Sequence, residues 1–136
     1  MTPIAASLIM LAHTITGAYI GVDPDSVRPI KAAYTMSPQK FIDVASQRPP
    51  IRGIYRQTNE TVYLAVKGYY KDRYIFSQLL HETVHHYQYV LNIKNKCHNE
   101  EEAHAFALQG IYLLSKGADW INPVEEREKY NNGVCN

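Results

Sequence analysis

Charge of one sign is what this 136-residue chain most plainly lacks: 14 Lys and Arg stand against 13 Asp and Glu, a net charge of +1. A nucleic-acid or membrane-surface binder concentrates basic residues on one stripe. Here they are scattered, so no nucleic-acid partner is expected. Cysteine is scarce as well. Cys97 and Cys135 could close one disulfide in an oxidising compartment or stay thiols in a reducing one. Neither sits in a Cys-x-x-Cys pair, which argues against a cysteine zinc site. No Lys or Arg precedes Arg28. The apolar stretch 4–12 therefore lacks the charged n-region of a signal peptide and reads as a folded first helix. That favours a cytoplasmic or particle-associated protein over a secreted one and otherwise leaves the compartment open. No apolar run reaches the ~18–20 residues of a membrane span. Phenylalanine is rare (3) beside 11 tyrosines, a bias that suits cleft walls and amphipathic core faces alike.

What is present fits one soluble domain over residues 1–136. Hydrophobic residues make up 46% and charged ones 20%, and this length can bury a core without further support. Leu8, Leu11, Ala12 and Ile15 recur at helical spacing, with Gly17 and Gly21 expected to end that helix. Turn residues fill 23–29, and 30–36 could be a short strand. Ser37-Pro38 marks a helix start, with the helix continuing to about Ala45. Ile51, Gly53 and Tyr55, then Thr61, Tyr63 and Ala65, alternate across the turn 57–60, a hairpin pattern. Asn59-Glu60-Thr61 matches a glycosylation acceptor, a match more often accidental in a hairpin turn. Two longer helices follow, at about 74–93 and 98–116. The tail beyond Pro123 is charged and expected to be loosely ordered.

The first long helix carries the chemistry. At 100° per residue, Phe76, Leu79, Leu80, Val84, Tyr87, Val90 and Leu91 gather on one face; Gln78, His81, Glu82, His85, Gln88 and Tyr89 gather opposite. Two histidines at i and i+4 stand one turn apart on the same side, so their ring nitrogens can converge on one ion. Glu82 lies beside them, placed to take a proton from water that a metal activates. His86 points away from that pair and reads as a surface or supporting residue. A chance His-Glu-x-x-His rarely falls on a helix with its histidines opposite an apolar face.

A catalytic zinc needs a third protein ligand and one open position. Glu100, Glu101 and Glu102 open the next helix, where acids also complement the helix dipole. Glu102 shares a face with Ala105, Phe106, Gln109 and Leu113, and the small Ala105 would let the two helices approach closely. Glu100 shares one with Ala103, His104, Ala107, Ile111 and Leu114. Periodicity leaves both registers open.

His81-Glu82-Thr83-Val84-His85-His86-Tyr87-Gln88, followed by Cys97, four residues and Glu102-Ala103-His104-Ala105-Phe106-Ala107-Leu108-Gln109, resembles the gluzincin metallopeptidases, the very small minigluzincins above all, and short bacterial and phage proteins of similar layout. The resemblance covers about 61–117. It implies an α+β fold: an N-terminal helix, a small antiparallel sheet or hairpin, the His-Glu-x-x-His helix and a glutamate-bearing helix. It also implies one catalytic zinc on His81, His85 and Glu102, with Glu100 the alternative third ligand, Glu82 as general base and a peptide or protein as substrate. In such enzymes an extended substrate adds to an edge strand beside the site; Thr61, Val62, Tyr63 and Leu64 are the candidates here. Tyr89, Tyr112, His104 and Tyr130 are candidate oxyanion donors. Two other readings compete: a catalytically idle zinc-binding structural or accessory protein, as in a phage particle, and an interaction domain with incidental histidines.

Overall fold

The computed structural model describes residues 1–46, 52–66, 72–117 and 133–135. The class is α+β, as expected. Among the described residues the helices and strands follow in the order β1 (Thr2–Pro3), α1 (Ala6–Ile20), β2 (Ala32–Met36), α2 (Pro38–Ala45), β3 (Gly53–Arg56), β4 (Thr61–Ala65), α3 (Asp72–Val90) and α4 (His98–Ser115), with a 3-10 turn at Pro24–Ser26. Ser37 caps α2 by accepting from the Lys40 N–H, with Pro38 at the first helical position.

The sheet is mixed rather than purely antiparallel. Its order is β1-β2-β4-β3, with β2 parallel to β4 and the other two pairs antiparallel. A parallel pair needs a crossover, and the segment running through α2 and β3 supplies it. β4 is thereby a central strand with two buried faces. Val62 and Leu64 join the larger core with Leu79, Leu80 and Val84 of α3; Tyr63 packs on the other side with Phe41 and Ala45 of α2.

α1 runs on past Gly17 to Ile20, and Gly21, in the left-handed region at φ 88°, ends it as expected. Gly17 sits inside it because of close approach: a Cβ there would meet the Tyr87 hydroxyl oxygen at 3.0 Å and Pro24 Cβ at 3.1 Å. A buried polar contact fastens α1 to α3 at that level. Tyr87 donates to the His13 carbonyl at 2.8 Å, and His13 Nε2 donates to the Pro24 carbonyl at 2.8 Å. α3 is the centre of the molecule, packed against α1, α4 and the sheet, so it is buried well beyond its apolar stripe. At the start of α4, a disulfide joins Cys97 to Cys135. It brings Gly133 against Ala103, and Asn99 donates to the Val134 carbonyl at 3.1 Å. The charged tail at 118–132, with Tyr130, lies outside the described residues.

Candidate metal centre

His81, Glu82 and His85 sit mid-way along α3, and Glu102 faces them from the second turn of α4. Ala105, fully buried, permits that close helix contact. His81 Nε2 lies 3.0 Å from one Glu102 oxygen and His85 Nε2 2.9 Å from the other. One ligand atom from each of the three residues falls within 4.8 Å of the others. Two donors on one tetrahedral zinc stand roughly 3.3 Å apart, so these residues fit such an ion with little movement. Two imidazoles and a carboxylate are also the donor set of catalytic zinc sites that keep one position open. Of the two candidate registers, the structure brings Glu102 to the histidines, while Glu100 lies under Gly133.

Electrostatics bind this cluster tightly. Burial alone would lower the His85 imidazole, but the hydrogen bond it donates to Glu102 and the charges of Glu82 and Glu102 carry it up to about 9. Burial would raise Glu102, yet hydrogen bonds from His81 and His85 hold it well below the usual carboxylate range. Glu82 is 4% exposed, and burial is the largest influence raising it; the His81 and His85 charges oppose and Glu102 reinforces. Such donors must shed protons to take up a metal ion.

Glu82 reaches toward β3. A Cβ at Gly53 would come within 3.4 Å of Glu82 Oε2 and 2.8 Å of Leu64 Cδ2, so only a glycine brings the strand this near. This geometry corrects the substrate-strand expectation. Thr61, Val62, Tyr63 and Leu64 belong to β4, whose two sides are already paired with β2 and β3, so it cannot accept a further strand. Among the described residues the edge beside Glu82 is β3. Arg52 accepts from the Ala65 N–H, so Arg52 and Ile54 turn their peptide groups to β4. Gly53 and Tyr55 turn theirs outward.

His86 is neither surface nor part of the centre: fully buried, it donates from Nε2 to the Arg28 carbonyl at 2.7 Å. Its Nδ1 accepts from the Tyr55 hydroxyl at 2.6 Å. The candidate oxyanion donors are dispersed. Tyr112 packs on Phe76, Tyr89 approaches Tyr55, and His104 is on the exposed side of α4. Asn59 donates to the Tyr63 hydroxyl and Thr61 is buried in β4, so the acceptor-like triplet is spent on the hairpin. Sequence reasoning assigned no role to Gln88 or Gln109, which contact the outer nitrogens of His85 and His81. The signal was available in their spacing: three residues beyond His85 and seven beyond Glu102.

A family profile matches residues 22–124. The chain belongs to the family described as Domain of unknown function (DUF6647). The DUF6647 span takes in β2 through α4 and all four residues of the centre, leaving α1 and Cys135 outside it. No curated protein and no solved structure matches the chain.

Proposed function

We propose that this protein is a small zinc-dependent metallopeptidase of gluzincin type. The observation that carries the reading is the convergence of His81 Nε2, His85 Nε2 and the Glu102 carboxylate beside a buried Glu82. A bound zinc would supply Lewis acidity at the fourth position, making water there a better nucleophile and polarising a peptide carbonyl. Glu82 takes the proton from the attacking water and passes it to the leaving amine. Its burial supports that work, because desolvation raises the carboxyl and strengthens its hold on a proton. The outward peptide groups of Gly53 and Tyr55 would hold an extended peptide alongside Glu82.

The Cys97–Cys135 disulfide favours an oxidising compartment over the cytoplasmic setting weighed from the sequence. No helix among the described residues is long and apolar enough to cross a membrane.

Metal analysis with a peptide-library cleavage assay, on wild type and Glu82→Gln, tests the reading. One zinc per chain in both, with cleavage by the wild type alone, is the expected result. Cleavage that survives Glu82→Gln would refute it. The second reading, a zinc-binding structural or accessory module, draws support from Tyr112 being engaged with Phe76 and His104 being exposed. Zinc in both proteins and cleavage by neither would favour it.

A further inference from the structure

Behind the two histidines stand two glutamines, Gln88 on α3 and Gln109 on α4, 8% and 2% exposed. His85 Nδ1 is 2.8 Å from Gln88 Oε1, and His81 Nδ1 is 3.0 Å from Gln109 Oε1. The far end of each amide decides which atom faces the ring. Gln88 Nε2 donates to the Glu101 carbonyl at 3.1 Å, a group that can only accept. Gln109 Nε2 meets Ser77 Oγ at 3.4 Å, and Ser77 already gives its proton to the Tyr74 carbonyl at 2.7 Å. Both amides therefore turn oxygen toward the imidazoles, so both rings must carry hydrogen on Nδ1. Nε2 is then the atom left to face Glu102 in each ring, and a neutral ring offers its lone pair there.

We propose that Gln88 and Gln109 are positioning residues of the metal site: each fixes the Nδ1–H form of its histidine and aims Nε2 at the ion. The proposal rests on reading His81, His85 and Glu102 as a metal centre. A carboxylate often holds this place behind a ligating histidine. An amide orients the ring without adding charge to a buried site that already holds Glu82 and Glu102. Gln88 does more than orient a ring. By reaching the carbonyl one residue before Glu102, it ties the aim of His85 to the placement of the carboxylate across the helix interface.

The test is zinc affinity, measured by competition with a chelating dye on the full disulfide-bonded chain. Gln88→Met and Gln109→Met keep side-chain length and remove the acceptor, and each should weaken zinc binding about 10- to 100-fold. Gln109→Glu restores an acceptor, and the Ser77 hydroxyl can rotate to donate to the second oxygen. Its affinity should recover above that of Gln109→Met, since the lost acceptor is what the 10- to 100-fold cost reflects. Nitrogen-15 NMR of the zinc-loaded wild type should show Nδ1–H on both rings, a readout independent of whether any variant folds. Methionine variants that lose thermal stability yet keep wild-type zinc affinity would overturn the proposal, as would zinc bound through Nδ1. Cleavage enters neither measurement: a chain that binds zinc and cuts nothing sinks the peptidase reading and leaves this one standing.

Discussion

Two pairs of histidines in this molecule look alike in sequence and do opposite things. His13 and His86 each donate Nε2 to a backbone carbonyl, from Pro24 and Arg28, and each packs against a tyrosine. These rings are fastened to neutral groups of the surrounding fold. His81 and His85 instead have Nδ1 held by neutral amides and Nε2 directed at one carboxylate. Burial does not separate the pairs, because His86 is more buried than His81. The group each Nε2 faces does: a carbonyl completes a structure, whereas a carboxylate shared by two imidazoles leaves a place for a cation.

The largest effect expected along that divide is Glu82→Gln, which should cost about 10²- to 10⁴-fold in peptide cleavage by removing the proton acceptor while zinc content stays at one. Steady-state rates and metal analysis of the same sample read it. Next, His81→Ala and His85→Ala should weaken zinc by more than about 100-fold, since even residues behind the ligands cost 10- to 100-fold. Chelator competition reads this, and zinc retained by either variant would erase the contrast with His86. His86→Phe should do the reverse. It leaves the Tyr55 hydroxyl and the Arg28 carbonyl unpaired at about 1–3 kcal/mol for each. Urea unfolding would show the loss, with zinc affinity unchanged.

The smallest effect falls on the ion pair beside His86. Arg28 donates to both Glu60 oxygens, at 2.8 and 3.2 Å, and holds that carboxyl below its ordinary 4.5. Arg28 is more than half exposed, so solvent screens the pair. A carboxyl lowered by folding stabilises the fold above its unfolded value and ceases to do so as pH falls through the folded one. The small stability gap between wild type and Arg28→Met should therefore be present at neutral pH and vanish in acid. Unfolding midpoints compared at pH 7 and pH 3 check the sign.

The i, i+4 spacing made His81 and His85 legible in the sequence, because a helix places those positions together whatever surrounds it. Glu102 was not legible from periodicity. Glu100 and Glu102 each head a reasonable face; the resemblance favoured Glu102, and the packing of Ala105 against α3 is what brings it to the histidines. The hairpin was equally visible, since its partners are neighbours in the chain. β4's second partner was not: β2 lies across a crossover, and alternation in Thr61–Ala65 says nothing about a strand 25 residues away. So the edge was assigned to the wrong strand of a correctly read hairpin. Gly17 misled for a related reason, since a glycine that ends a helix and one that admits a neighbouring tyrosine are the same letter. His86 needed the sheet before its burial could be seen.

The outward edge of β3 has a consequence for how much of a guest chain could be gripped. The strand is four residues long, and only Gly53 and Tyr55 offer their peptide groups to that side. A ladder so short would bind a few residues and ignore what lies beyond them. On the peptidase reading proposed above, an edge this short would favour brief contact over long residence.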